Sequence, residues 1–334
     1  MRAAWYERRG AAQQVLVVGD LPDPQPGAGE VRIALTVSGV NPGDVKKRAD
    51  WRGAPMPFPR VIPHSDGAGT IDAVGMGVRD DRVGTRVWCY GAQSYRPFGT
   101  AAEYVVVPDA LAVPLPPGPS EPADDLDEQG ACLGIPGITA HRGLFADGPT
   151  SGLVVLIHGV AGGVGSIAAQ LALRGGATVI GVVRRNEQRA AALRAGAPHV
   201  VVDDPRLAER IREFAPGGVN RILEVDFASH IDVSADVLAT GGAISSISTS
   251  EERPRIPYWA LGFKDTTIRL LGSDDFPPAA KAAAATALTA ALLDGSLHCE
   301  VAVRFSLSEI ASAHELVERG APGRVIIDLS SSSP

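Results

Sequence analysis

A glycine-rich turn between an apolar run and a helix-forming run is the strongest chemical signal in the sequence. The segment from Val154 to Gly165 carries it, and Gly159, Gly162 and Gly165 have the spacing of a dinucleotide-binding turn. Such a turn needs glycine for tight bending, for close approach of pyrophosphate and for packing of helix on strand. The following helix N-terminus would offer amide donors to phosphate. Glycines that serve only the turn conformation are the alternative, and the flanking strand and helix patterns favour the dinucleotide site.

The next apolar run, Val179–Val183, is followed by Arg184 and Arg185. Folds that bind NAD place a carboxylate at the end of this second strand for the ribose hydroxyls, and a carboxylate would repel a 2′-phosphate. A guanidinium instead binds a 2′-phosphate through paired hydrogen bonds, so the sequence predicts NADPH as the cofactor. The alternatives are a solvated basic pair at a helix start, or a phosphate contact from Arg189.

The whole chain has the composition of a globular protein. It has 334 residues, 45% hydrophobic and 21% charged, which is enough for two domains with separate cores. Its formal net charge of −7 gives no general attraction to nucleic acid or to an anionic membrane. We therefore expect a small-molecule partner and neither nucleic acid nor membrane.

The cysteines, the N-terminus and the longest apolar run indicate the cellular compartment. Cys89, Cys132 and Cys299 are odd in number and scattered, so they predict no disulfide framework and favour a reducing cytoplasm. The N-terminus lacks the basic and apolar regions of a signal peptide and is predicted as a first strand. The Ala-rich run Ala279–Leu293 is too short for a bilayer and is predicted as a surface helix.

Two patterns of elements must position these residues. The first hundred or so residues contain short strand-forming runs that predict a compact β-barrel-like domain: Val31–Val37, Gly69–Val74, Arg86–Tyr90 and Ala102–Val107. The Pro-rich stretch 114–125 then predicts a domain boundary.

Beyond that boundary, apolar strands alternate with helices, which predicts a parallel sheet buried on both faces. The predicted strands are Leu153–Ile157, Val179–Val183, Val200–Val202, Ile222–Val225 and Ala243–Ile247, and the predicted helices are Ser166–Arg174, Gln188–Ala195 and Arg206–Phe214. Thr266–Leu271 has the pattern of an edge strand, and Val325–Leu329 that of a last strand before a disordered polar tail at 330–334.

Taken together, several short stretches resemble the zinc-independent quinone oxidoreductases, similar to zeta-crystallin, of the medium-chain dehydrogenase/reductase superfamily. They follow the family's order over most of the chain: Val40-Asn41-Pro42-Gly43-Asp44 with Arg48, Pro63-His64-Ser65-Asp66-Gly67-Ala68-Gly69 with Ala73-Val74-Gly75, Phe98-Gly99-Thr100-Ala101-Ala102-Glu103-Tyr104, Gly137-Ile138-Thr139-Ala140, and Ala161-Gly162-Gly163-Val164-Gly165.

The resemblance implies an α/β fold in which a doubly wound Rossmann sheet is inserted in a GroES-like, mainly β catalytic domain. The expected domains are 1–125, 126–265 for NADPH binding, and 266–334 as the return to the catalytic domain, with the active site in the cleft. Asn41 is then the catalytic-site residue beside the nicotinamide. The implied cofactor contacts are Asn41, Thr139, Gly159, Ala161, Gly162, Gly163, Val164, Arg184, Arg185, Ser245, Ser246 and Ile247.

A zinc alcohol dehydrogenase of the same superfamily would need cysteine in place of Asn41 and a His-Glu pair in place of Ser65-Asp66. No cluster of four cysteines offers a structural zinc site either, so we expect no metal. His64 lies one residue from the ligand position and is interpreted as a loop or packing residue, with substrate contact as the alternative.

One departure affects the substrate pocket, because many family members have tyrosine where this chain has Lys46. Tyr90, Tyr95 and Trp51 become candidates for an aromatic wall, with core packing as the equal alternative. With Asn41 and His64, the two tyrosines make up the expected pocket.

The function implied is hydride transfer from NADPH to a quinone or related electron-poor acceptor without metal. The implied assembly is a homodimer in which the edge strand Thr266–Leu271 pairs with its copy in the second chain, and Ile268 and Leu270 lie near the two-fold axis. The alternatives are an enoyl-thioester or enone reductase of the same superfamily, which needs a proton donor for carbon, and a non-catalytic NADPH-binding protein.

Overall fold

The structure is a computed structural model that describes residues 1–49, 53, 55–116, 123–321 and 323–330. Three predicted features lie outside the described residues: Trp51, residues 117–122 of the Pro-rich stretch predicted as a boundary, and residues 331–334 of the predicted tail. By packing, the chain divides into a first unit, residues 1–136 with 299–334, and a second unit, residues 137–298. The chain passes between them inside one helical segment, just after a break in helical geometry at Gly134.

The bounds of the elements follow the chain. The first part contains β1 Arg2–Trp5, α1 Ala12–Val15, β2 Val17–Asp20, β3 Glu30–Val40, α2 Pro42–Arg48, β4 Asp66–Val74, β5 Arg86–Cys89, β6 Tyr104–Pro108, β7 Ala112–Pro114 and α3 Ala123–Phe145. The middle contains β8 Val154–His158, α4 Gly163–Arg174, β9 Thr178–Val183, α5 Arg189–Arg194, β10 His199–Val202, α6 Leu207–Phe214, β11 Val219–Glu224, α7 Phe227–Val237, β12 Leu238–Ser246, α8 Tyr258–Gly262, β13 Thr267–Leu270 and α9 Pro278–Leu293. The last part contains β14 Val301–Ser306, α10 Ile310–Arg319 and β15 Arg324–Asp328.

The first unit is built around the long strand β3. Its residues alternate between buried and half-buried over Val31–Val37, which is the period-2 pattern of a strand with one face on a core. The sheet has the order β14-β15-β3-β4-β5-β7, and β6 also pairs with β3. The register of β3 with β4 places Gly39 opposite Asp66, at the end of β3 that leads to α2.

The second unit is a six-stranded, fully parallel sheet with the order β10-β9-β8-β11-β12-β13. In chain order this is the 3-2-1-4-5-6 arrangement of dinucleotide-binding sheets, in which ligands bind outside the carboxyl ends of the strands at the switch point. Val155, Leu156 and Ile157 of the central strand have no exposed surface, as expected for strands buried on both faces. The predicted fold class is confirmed.

Some elements differ from the prediction. The helix predicted over Gln188–Ala195 is a 3₁₀ turn, Asn186–Gln188, followed by α5. The helices α7 and α10 and the strand β14 were not predicted. No helix among the described residues is long and apolar enough to cross a membrane.

Candidate cofactor and active site

The glycine-rich turn connects β8 to α4, and its three spaced glycines have different physical requirements. Gly159 has φ of +64°, a region that side chains other than glycine disfavour. A Cβ on Gly165 would lie 2.3 Å from the carbonyl oxygen of Gly159, so only glycine lets the helix approach the turn this closely. A Cβ on Gly162 would meet only that oxygen, at 3.2 Å, which leaves this backbone open to a ligand.

The arginine pair lies where the sequence analysis predicted it, directly after β9. The side chains of Arg184 and Arg185 are exposed. Their backbone N–H groups donate to Oε1 of Gln188 at 3.1 and 3.2 Å, which fixes the turn that carries them. Both guanidinium groups are therefore available to a phosphate at the carboxyl end of the second strand of the parallel sheet.

Two more predicted cofactor residues end β12 at the same edge of the sheet. Ser245 and Ser246 are 2% and 5% exposed, and the hydroxyl of Ser246 donates to the carbonyl oxygen of Ser248 at 3.1 Å. Ile247 follows them, half-buried. Thr139 is buried on the part of α3 that belongs to the same unit. The fold thus brings the glycine turn, the arginine pair and these serines to one edge of one sheet.

Asn41 lies in the first unit between β3 and α2, and its side chain is held by Asp66. The amide nitrogen Nδ2 donates to Oδ2 of Asp66 at 2.6 Å, and the backbone N–H of Ile135 donates to the same carboxylate at 2.9 Å. Burial, with a smaller effect from Asp44, raises the pKa of Asp66 to about 7. The oxygen Oδ1 of Asn41 is buried and has no hydrogen-bond partner among the residues that the structure describes.

His64 is fully buried, and both of its ring nitrogens are occupied. Nδ1 lies 2.9 Å from the hydroxyl of Ser38, and Nε2 lies 2.9 Å from Nε2 of His314. Burial lowers the pKa of His64 to about 3, so the ring is neutral. His64 is thus a buried ring with a neighbour at each nitrogen, and its assignment to the substrate pocket stays a prediction.

The two tyrosines of the predicted pocket have opposite environments. Tyr90 is 4% exposed and packs against Trp88, with ring centroids 5.6 Å apart. Tyr95 is 72% exposed and has φ of +56°. Their assignment to the substrate pocket stays a prediction.

A cluster that the sequence analysis missed lies at the carboxyl ends of the second unit's strands. It consists of His158, Glu224, His230 and Asp203. His158 and Glu224 are the last residues of β8 and β11 and are completely buried. Burial lowers the pKa of His158 to about 4, whereas the carboxylates of Glu224 and Asp203 overcome burial and raise the pKa of His230 to about 9. The sequence feature that could have revealed this cluster is a polar residue at the end of each of several apolar strands, because the ends of parallel strands meet at one edge of the sheet.

Comparisons with known proteins agree with this fold. A family model described as "Alcohol dehydrogenase GroES-like domain" matches residues 27–117, and one described as "Zinc-binding dehydrogenase" matches residues 163–285. The quinone oxidoreductase of Rattus norvegicus is 32% identical over 248 residues, which cover 73% of this chain and 72% of that protein. This chain belongs to the quinone oxidoreductase family.

Two further matches cover most of the chain. A 2-haloacrylate reductase from a Burkholderia species is 30% identical over 311 residues, or 87% of each chain. A mycobacterial protein solved in complex with NADPH has 28% sequence identity and a TM-score of 0.82, and the match covers 98% of this chain and 99% of that one. The predicted family and the prediction that the protein is an oxidoreductase are confirmed.

The description of one matching family names zinc, and the residues of this quinone oxidoreductase family member do not fit a catalytic zinc. An amide, Asn41, and a serine-aspartate pair stand at the positions that the resemblance assigns to the cysteine, histidine and glutamate of the zinc enzymes. The amide and the carboxylate bind each other, and the neighbouring His64 has no ring nitrogen left for a metal. These side chains therefore lack the donor set that a catalytic zinc needs.

Proposed function

We propose that this protein reduces quinones, or acceptors of similar electron demand, with NADPH as the hydride donor. The observation that carries the proposal is the pairing of an open glycine turn with two exposed arginines at the carboxyl edge of a 3-2-1-4-5-6 parallel sheet. The name of the rat relative and the NADPH complex of the mycobacterial neighbour support it.

The residues of the second unit bind and orient the dinucleotide. Gly162 and Gly163 admit the pyrophosphate to the start of α4, where helix amides without intrahelical partners are available to it. Arg184 and Arg185 bind the 2′-phosphate. Thr139, Ser245, Ser246 and Ile247 line the nicotinamide end, and Ala161 and Val164 complete the turn. When bound, NADPH supplies a hydride from C4 of its nicotinamide ring.

Asn41 is proposed as the catalytic-site residue of the first unit. Only its amide nitrogen can donate to Asp66, so that hydrogen bond fixes the orientation of the amide and leaves Oδ1 as an acceptor without a partner among the described residues. Oδ1 would accept a hydrogen bond from the cofactor or from the reduced acceptor. No acid is required from the chain, because a reduced quinone oxygen takes its proton from solvent. Tyr95 is proposed as part of the acceptor wall.

Alkene reduction is the second candidate function, since one relative is named for reduction of 2-haloacrylate. That reaction uses the same hydride geometry but must deliver a proton to carbon, for which a positioned acid is needed. Steady-state NADPH oxidation measured over one panel of quinones and one panel of enones and 2-haloacrylate separates the two functions. Higher kcat/KM across the quinone panel supports the proposal. Turnover confined to the alkenes would reject it in favour of the second function, and tight NADPH binding without turnover would indicate a non-catalytic protein.

We also propose a homodimer in a reducing cytoplasm. The strand β13 pairs only with β12 among the described strands and ends the sheet. Its last residue, Leu270, is 75% exposed, and Trp259 and Phe263 of the preceding α8 segment are 70% and 81% exposed. An unpaired strand edge with an exposed leucine favours pairing with a second copy, and exposed aromatic side chains favour association in general. The cytoplasmic location rests on the three cysteines, which are buried and free.

A further inference from the structure

Four side chains converge at the carboxyl ends of β8, β10 and β11 in the second unit. Nε2 of His158 lies 3.5 Å from Oε2 of Glu224, and Nδ1 of His230 lies 2.8 Å from Oε1 of the same carboxylate. The two imidazole rings stack with centroids 4.3 Å apart. His158, Glu224 and His230 each offer one ligand atom, and these atoms all lie within 4.8 Å of one another.

This cluster leaves polar atoms unsatisfied in the part of the chain that the structure describes. Nδ1 and Nε2 of His158 and Oε2 of Glu224 are buried and have no hydrogen-bond partner. Buried polar atoms without partners are costly and rare in folded proteins, so each calls for a group that satisfies it. A cation between Nε2 of His158 and Oε2 of Glu224 would satisfy one atom of each residue at once.

The hydrogen bonds around the cluster resemble those that orient the ligands of a metal ion. Nε2 of His230 lies 3.2 Å from Oδ2 of Asp203, and the backbone N–H of Asp226 donates to Oε1 of Glu224 at 2.6 Å. A carboxylate that accepts the proton of one ring nitrogen directs the lone pair of the other nitrogen toward the metal. Here that other nitrogen is Nδ1, which faces Glu224.

We propose that His158, Glu224 and His230 form a binding site for a divalent transition metal of the zinc type, with Asp203 as the residue that positions His230. Two imidazoles and one carboxylate suit zinc, whereas magnesium and calcium prefer oxygen ligands alone. The ligand atoms lie within 4.8 Å of one another. Ligand atoms of a tetrahedral zinc lie about 3.4 Å apart, so the widest pair needs to close by at most about 1.4 Å. Water would fill the fourth position.

The site is distinct from the positions that the zinc alcohol dehydrogenases use, and it does not rest on the proposed function. The test uses the full chain, dialysed against a chelator and then titrated with Zn²⁺ alone by calorimetry. We expect one zinc per chain. Cobalt(II) provides a second probe, because three protein ligands around it should give the visible absorption bands of a tetrahedral complex.

Variants separate this site from surface binding. His230→Gln should weaken zinc binding by more than about 100-fold, and Asp203→Asn by about 10- to 100-fold, the range seen when an outer partner of a ligand is changed. His199→Gln, a half-buried histidine of β10 outside the cluster, is the matched control and should bind zinc like the wild type. Circular dichroism and NADPH affinity of each stripped variant report whether it is folded.

Two results would overturn the proposal. One is the absence of saturable zinc binding to the wild type, which would leave the hydrogen bonds between His230 and the two carboxylates as the whole role of the cluster. The other is equal zinc affinity in the wild type, His230→Gln and Asp203→Asn, which would place the bound zinc elsewhere. If His230→Gln does not fold, Asp203→Asn, which keeps all three ligands, decides the matter alone.

Discussion

Arg184 and Arg185 are the residues that we propose to decide which dinucleotide the protein uses. NADPH differs from NADH by a 2′-phosphate, and a charge-assisted hydrogen bond contributes on the order of 1.5–3 kcal/mol. Because one of the two exposed guanidinium groups can bind the phosphate alone, the two contributions need not add. The double change to alanine should raise the KM for NADPH by at least about tenfold and leave NADH use nearly unchanged, as measured by steady-state kinetics.

Arg189→Ala, at the start of α5, is the matched control and should change neither KM. Equal loss of both cofactors in the double variant would mean that the arginines hold the turn and do not read the phosphate. If the double variant keeps both KM values and Arg189→Ala raises the KM for NADPH, the phosphate contact belongs to Arg189.

The neutral, buried ring of His64 makes stability depend on pH. The pKa of His64 in the folded protein is about 3, below the value of about 6.5 in an unfolded chain. The stability that the neutral ring contributes is therefore complete above the unfolded value and is lost as the pH falls toward the folded value. Between pH 7 and pH 5 the wild type should lose about 2 kcal/mol more unfolding free energy than His64→Gln does. Urea unfolding at both pH values measures this difference.

The exposed His298 supplies the control, since His298→Gln should follow the wild type at both pH values. The neighbour of the His64 ring, His314, is also buried and has a lowered pKa, and it stays in place in the variant. Equal losses in the wild type and His64→Gln would show that His64 takes up a proton in the folded protein as readily as in the unfolded one.

Residues with local chemistry were predictable from the sequence. The glycine turn follows β8 and Arg184-Arg185 follows β9, each within a few residues of its strand end, and the structure places both at the carboxyl edge of the sheet. The bond between Asn41 and Asp66 joins residues 25 positions apart, and the cluster around His158 joins three strand ends and a helix. Such contacts depend on strand order, which the hydrophobic pattern does not specify.

The element formed by β8, the glycine turn and α4 allows a test within a single turn. Gly162→Val places a branched side chain where the proposed pyrophosphate approaches the backbone, and its Cβ meets one protein atom at 3.2 Å. We expect a folded variant that has lost NADPH binding, as measured by fluorescence titration and circular dichroism.

Gly165→Val is the comparison in the same turn, because its Cβ would lie 2.3 Å from the carbonyl oxygen of Gly159. This variant should lose thermal stability as well as NADPH binding. Unchanged NADPH affinity in a folded Gly162→Val protein would remove the turn from the cofactor site.

Element prediction succeeded where the sequence contains a long apolar run. The predicted strand Val179–Val183 became β9 with one more residue, and the predicted helix Ala279–Leu293 became α9 with one more residue. Prediction failed at β14, whose residues are mostly half-buried and follow no alternation. That strand is held by parallel pairing with β15 across an intervening helix, which sequence periodicity does not reveal.

At the scale of the whole molecule, the exposed edge at β13 predicts assembly. In a two-fold interface each residue near the axis meets its own copy, so Leu270→Lys would place two like charges together. We expect the wild type to be a dimer and Leu270→Lys a monomer at micromolar concentration, as measured by light scattering.

Leu193→Lys makes the same chemical change at a leucine of α5 that is 56% exposed, and it should remain dimeric. A monomeric wild type would contradict the proposed dimer. Dissociation of both variants would indicate a general effect of added charge and would contradict the proposal that β13 forms the dimer interface.

Whether the protein reduces quinones with NADPH is decided by the relative efficiency of two acceptors. The acceptors are para-benzoquinone and cyclohexenone, which are six-membered rings of similar size, and the measurement is the ratio of their kcat/KM values with NADPH as donor. The proposed function predicts a ratio of at least about ten in favour of the quinone, equivalent to about 1.4 kcal/mol of transition-state stabilisation, because the enone needs a proton delivered to carbon and the quinone does not. A ratio below one would contradict the proposed function and make the protein an alkene reductase.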